Sequence, residues 1–270
     1  MELWEAAVIL LAGVAAGGIN AIAGSGTLFT FPVLLALGYP PITATVSNSI
    51  GLAPGTLSGT IAYRRELAGQ RARILRLGSM SFLGAVTGAL LLIYLPPGVF
   101  EAVVPFMIGL ACVLIVLQPR ITRWVRSRRP AHRDGGPLLP LGAYATGAYG
   151  GYFAAAQGII LMSILGTALD EEIQRLNALK NMLATIVNTT ASVFYIVLAE
   201  PAWPVVGLIA CGTIIGGYLG GRSGASSARP PCGCAWSWWD CPPRSRSSWA
   251  GSDPAPPIPS HGPAALRDAP

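Results

Sequence analysis

Two short stretches of an otherwise apolar chain carry groups able to hold a ligand: Gly24-Ser25-Gly26-Thr27 and Gln157-Gly158. In each, small and polar residues interrupt an apolar run, which then resumes only briefly, at Thr27–Leu37 and Ile159–Leu169. Glycine allows positive φ and close backbone approach, as a helix break requires. A helix that restarts after such a break presents free N–H groups with partial positive charge, which suits an anion. Ser25 and Thr27 add hydroxyl donors, and Gln157 an amide. Asn48 in "VSNSIG", Asn177 and Asn181 in "NALKN", and Asn188 beyond them are further polar groups within apolar spans. Such residues mark a pathway or join helices by hydrogen bonds. Both readings stay open for Asn48 and Asn181, while Asn188 reads as structural.

Lys180 is the sole lysine among 18 basic residues. An ammonium kept where arginine is the rule suggests that a compact point charge is wanted. It could pair with an anionic ligand, or snorkel to the membrane interface near Asp170, Glu171, Glu172 and Arg175. "GSGT" is not a phosphate-binding P-loop, because the Gly-Lys-Ser/Thr ending is absent. No catalytic residue and no metal site is expected. The two histidines, His132 and His261, fall in a basic loop and in the carboxy-terminal tail, and no carboxylate pair sits at mid-span. No cofactor is implied, and an enzyme is not expected.

The elements that must position these groups follow from composition. Of 270 residues, 52% are hydrophobic and 11% charged, with a mean hydropathy of +0.55. Soluble domains carry about a quarter charged residues, so too few are present to cover a water-facing surface. The chain reads as an all-α, polytopic transmembrane bundle embedded in a lipid bilayer. Spans of about 20 apolar residues are expected at Leu3–Ala23, Ile42–Tyr63, Leu77–Leu95, Val99–Leu117, Leu138–Ala156, Ala178–Leu198 and Ala202–Gly221. The pieces Thr27–Leu37 and Ile159–Leu169 are too short to cross without tilt, and either cross or re-enter. In hydrocarbon each unsatisfied backbone group costs several kcal/mol, so both breaks belong in the bundle interior or beside a wet cavity. Gly13, Gly17, Gly18, Gly84 and Gly88 read as helix-packing devices.

The net charge of +6 is concentrated in "RRELAGQRARILR" (64–76) and "RITRWVRSRRPAHR" (120–133). Lying between apolar spans, these clusters read as cytoplasmic loops, 64–76 and 118–137, under the positive-inside rule, and not as a nucleic-acid surface. That assignment places the two break-containing units in opposite orientations, the arrangement of inverted-repeat transporters. Gly26 and Gly158 take equivalent places, and Asn48 and Asn181 follow them by 22 and 23 residues. The expected organisation is a first repeat at 1–119, a basic loop at 120–137 and a second repeat at 138–222. Cys112 and Cys211 read as small core residues. The amino terminus lacks a basic segment and a cleavage site, so no signal peptide is expected.

Two segments resemble the paired signatures of the TauE/SafE sulfite-exporter family, also called the toluene sulfonate uptake permeases. They are "GGINAIAGSGTLFTFPVLLALGYPPITATVSNSIGLAPGTLSGTIAYRRE" and "GGYFAAAQGIILMSILGTALDEEIQRLNALKNMLATIVN". The resemblance covers about Leu3 to Gly221. It implies a bacterial inner-membrane permease of about eight helices for small sulfur-containing anions such as sulfite and sulfonates. Gly24, Ser25, Gly26, Asn48, Gly158, Asn177 and Asn181 are the matching motif residues. A scaffold or sensor subunit on the same helices, or an anion channel, is the alternative reading. Oligomeric state, homo-oligomers included, is left open. The family continues past Gly221 with a final apolar helix. Here residues 223–270 hold ten of the 23 prolines and four of the seven tryptophans, with Ile258 and Leu266 as the sole large aliphatics. Such a tail cannot span or pack. It reads as disordered, the product of a frameshift near Arg222 that removed the last helix. Its "CGCAWSWWDC" matches no strong zinc spacing.

Overall fold

The computed structural model describes residues 2–127, 136 and 138–226. His132, His261, residues 128–135 of the basic loop, the "CGCAWSWWDC" cluster and the tail beyond Ser226 lie outside the described residues. The helices are α1 (Leu3–Ile22), α2 (Thr27–Ala36), α3 (Pro41–Ala62), α4 (Arg71–Tyr94), α5 (Pro97–Ser127), α6 (Leu138–Tyr152), α7 (Gln157–Ala168), α8 (Ile173–Leu198) and α9 (Trp203–Ser226). No strand occurs among the described residues. Four of the helices, α1, α4, α8 and α9, are long and apolar enough to cross a membrane by length and composition.

Helix boundaries depart from expectation where polar residues extend an apolar core. Arg71, Arg73 and Arg76 form the first turns of α4, so only Tyr63–Gln70 is a connection. α5 continues through Arg120 and Arg123 to Ser127. α9 runs through Ser226, five residues past the expected end at Gly221. α8 starts at Ile173, five residues before the expected Ala178, which puts Asn177 on the helix rather than ahead of it. Helical hydrogen bonding carries through polar residues once nucleated, whereas hydropathy stops at the first charge.

The helices meet through glycine-lined crossings. α1 packs on α9 and α4 on α6 in two of the three most extensive interfaces. In the first, a Cβ at Gly17 would meet Thr213 and Gly217, and one at Gly220 would meet Gly18. In the second, Gly84 and Gly88 face the Tyr144 and Ala148 carbonyls, while Gly147 and Gly151 face Ser81 and Ala85. Both are small-xxx-small contacts that bring backbones within van der Waals reach. The pairings run in matched sets: α2 lies on α1 and α3 as α7 lies on α6 and α8, and α3 meets α9 as α8 meets α4.

The distribution of polarity suits a bundle in lipid. α3 buries Thr45, Ser47, Asn48, Ser49, Thr56 and Thr60. Ser192 Oγ donates to the Ser49 carbonyl, Thr213 Oγ1 to the Gly51 carbonyl, and Thr60 pairs with Thr185 at 2.9 Å. Leu11, Leu75, Leu91, Phe106, Val116 and Val197 are exposed. Cys112 and Cys211 are exposed as well, which corrects the core assignment. In a bilayer the outer surface is apolar, so an apolar side chain carries no information about burial. The ion pairs that Glu171 makes with Arg73 (2.6 Å) and Arg175 (2.9 Å) are partly exposed and sit where α4 and α8 begin.

A glycine pair tests the crossings. Gly84→Ala drives a methyl into the Tyr144 carbonyl and should cost about 1–3 kcal/mol. Gly98→Ala in α5 meets nothing within 4 Å and should be neutral or stabilising by up to ~1 kcal/mol. Melting of the purified proteins in detergent measures both signs.

Candidate functional site

α1 ends at Ile22 and α2 begins at Thr27; between them Gly24 takes φ +81°. α6 ends at Tyr152, and Phe153–Ala156 carry the chain into α7 with Ala154 at φ +62° and Ala156 at φ +56°. Left-handed backbone at alanine costs on the order of 1 kcal/mol or more per residue, and it persists where surrounding structure fixes it. Here the two breaks fix each other. The Gly158 N–H donates to the Gly24 carbonyl at 3.0 Å, and Thr27 Oγ1 donates to the Ala154 carbonyl at 3.3 Å. A Cβ on Gly24 would overlap Gly158, and the reverse holds. Phe31 meets Phe153 edge-on at 5.2 Å and seals one flank.

The structure thus brings Gly24 into direct contact with Gly158 and Thr27 with Ala154, with Ser25 and Gly26 on the same connection as Gly24. It also revises one role. The Gly158 N–H is taken up by Gly24, so that helix start does not offer it as a free donor. Gly26 packs against Ala16 and Asn20 of α1.

Other donors remain. Asn48 Oδ1 accepts from Thr30 Oγ1 at 2.5 Å, which ties α3 to the first turn of α2, while Asn48 Nδ2 is buried without a partner. Gln157, the first residue of α7, rests on Gly150 and leaves Nε2 buried without a partner. Each such group costs about 1–3 kcal/mol when left unmade. One unsatisfied amide N–H₂ therefore lies beside the start of each short helix: that of Gln157 on the first turn of α7, and that of Asn48 on α3, held against α2 through Thr30. Asn188, one turn before Ser192, leaves Oδ1 unpaired.

Lys180 is 1% exposed, which rules out the interface position. Its Nζ donates to the carbonyls of Asn20, Ala21 and Ile22 at 3.4, 3.3 and 3.2 Å, and Asn181 Nδ2 donates to Ala21 at 3.1 Å. Asn177 lies half-buried one turn earlier on α8. Sequence reasoning missed Thr30, which its i+3 spacing from Thr27 could have suggested. It also missed the carbonyls of Asn20–Ile22, whose need for donors follows from the end of α1. Nothing in the letters of Ala154 and Ala156 announces left-handed backbone.

A family profile described as "Sulfite exporter TauE/SafE" matches residues 9–230. The chain belongs to the sulfite exporter TauE/SafE family. Relatives agree at the level of class. "Probable membrane transporter protein YfcA" of Escherichia coli (strain K12) is 26% identical over 219 residues, covering 80% of this chain and 79% of that protein. "Probable membrane transporter protein" of Haemophilus influenzae is 26% identical over 216 residues, covering 80% and 84%. "Probable membrane transporter protein ORF9" of Sinorhizobium sp. is 28% identical over 225 residues, covering 80% and 82%. No solved structure matches the chain. With its apolar helices, family membership makes this a multi-pass membrane transporter.

The contact between the breaks makes a coupled prediction. Gly24→Ala and Gly158→Ala should each cost about 1–3 kcal/mol. The double variant should cost less than their sum, because either methyl already parts the same two backbones. Melting temperatures of the three variants decide it, and strict additivity would mean that the two sites are independent.

Proposed function

We propose that the protein is an inner-membrane permease that moves a small oxyanion, a sulfite or short sulfonate, by alternating access. The observation that carries this reading is the pair of buried, unpartnered amide donors, Gln157 Nε2 on the first turn of α7 and Asn48 Nδ2 on α3 where it bonds Thr30 of α2. A ligand bearing several acceptor oxygens and no donor satisfies both. Ser25 supplies a hydroxyl beside them, Thr27 holds the two breaks together through Ala154, Gly24, Gly26 and Gly158 shape the backbone, and Asn177 and Asn181 line the α8 side. Sulfite and sulfonates match that demand, and the family's printed description names sulfite.

Ser25, Thr27, Asn48 and Gln157 are each 3% exposed or less. A ligand therefore enters only if the packing opens, first toward one side and then the other. The matched helix pairings support two inverted repeats, α1 to α5 and α6 to α9, as the units that rock. In the first, α5 packs on α7. Among the described residues α2 has no such cover, and its Phe29, Pro32 and Ala36 form an exposed stripe. The basic segments 64–76 and 118–137 are assigned to the cytoplasmic side.

Uptake of labelled sulfite and short sulfonates into proteoliposomes tests the function. Saturable uptake is expected. Asn48→Ala removes one ligand donor and should lower it by about 10- to 100-fold, the value of a charge-assisted hydrogen bond. Uptake unchanged in Asn48→Ala would remove the site from the breaks.

A further inference from the structure

The carboxy-terminal turn of α1 ends inside the protein, so its last four carbonyls need donors that no following turn supplies. The Ile19 and Asn20 carbonyls take the N–H groups of Ala23 and Gly24. Those of Ala21 and Ile22 are left, and with Asn20 they form a cup around Lys180 Nζ, at 3.2 to 3.4 Å. Three nearly equal distances describe an ion resting among carbonyl dipoles rather than one directed bond. No carboxylate is paired with this ammonium in the ion pairs of the described residues, where Glu171 bonds Arg73 and Arg175. The negative end of the α1 dipole supplies the compensation instead.

We propose that the α1 carbonyl cup is a monovalent cation site that the protein fills with its own tethered ammonium. Broken-helix transporters hold coupling cations on such half-helix carboxy termini and unwound carbonyls. Lys180 takes that place here, and it keeps α1 docked on α8 next to the Gly24 break. The cup is too wide for a bare hard cation, which binds oxygen at about 2.0–2.6 Å, and at 3.2 to 3.4 Å it sits at the long end of N–H···O spacing for an ammonium shared among three carbonyls. Its ligand class, once the side chain is removed, is ammonium or methylammonium.

Melting of the full-length protein in detergent tests the site without any transport assay. Lys180→Ala should lower Tm by roughly 5–15 °C, the effect of leaving a buried polar cluster uncompensated. Ammonium or methylammonium chloride should restore most of that loss saturably. Choline chloride at equal ionic strength should not, and the unmodified protein should respond to neither. Lys180→Gln keeps an N–H donor and fills the space without charge. It should also melt low and gain nothing from ammonium. Lys180→Gln as stable as the unmodified protein would overturn the proposal, since a neutral donor would then suffice. Rescue of Lys180→Ala by choline as well as by ammonium, or by neither, would overturn it too. If Lys180→Ala does not fold, Lys180→Gln alone decides between charge and simple hydrogen bonding.

Discussion

The constraint on which the rest depends is that backbone N–H and C=O groups cannot be left bare in hydrocarbon. A chain that breaks two helices inside the bundle must supply every freed group with a partner. It does so by setting the breaks against each other: the Gly158 amide closes on Gly24, the Thr27 hydroxyl closes on Ala154, and Lys180 and Asn181 close on the end of α1. Among the buried groups without a partner, which also include those of Tyr63, Tyr149 and Asn188, the ones on Asn48 and Gln157 are the amide donors. Such donors are the groups available to an anionic ligand.

That closure depends on how near the helices come. Glycine at Gly17 and Gly84, and at their facing positions, allows backbone to lie on backbone, so α1 and α9 hold one break while α4 and α6 hold the other. In lipid no gain comes from burying apolar side chains between helices, because the tails outside are equally apolar. Contact is stabilised by dispersion at short range and by polar bonds such as Thr60 with Thr185 and Tyr195 with the Gly151 carbonyl. The same economy explains why α3, with six buried Ser, Thr and Asn side chains, is an interior helix, and why cysteines and leucines face outward.

Much of the site was legible because its chemistry is local. Gly-Ser-Gly within an apolar run reads as a break, and the recurrence at Gln157-Gly158 made it a pair. The extents of α2 and α7 follow from apolar runs bounded by polar residues, within two residues of those expected. What could not be read was which donors are consumed. Gly158 looks like a free helix start until Gly24 is placed against it. Lys180 looks like an interfacial lysine beside Asp170 and Glu171 until α1 is seen to end over it.

The sequence by itself determined the class: an all-α chain with too few charges for water, membrane spans, two interrupted helices, and motifs specific enough to indicate the family. These depend on residue type and spacing along one chain, which hydropathy and helix chemistry read directly. The tertiary structure alone decided the partners across 120 to 160 residues of sequence, such as Gly24 with Gly158 and Lys180 with Asn20–Ile22. Hydrogen-bond satisfaction is a property of three-dimensional neighbours. No local pattern reveals whether a donor in a low-dielectric interior has already found its acceptor or still awaits one.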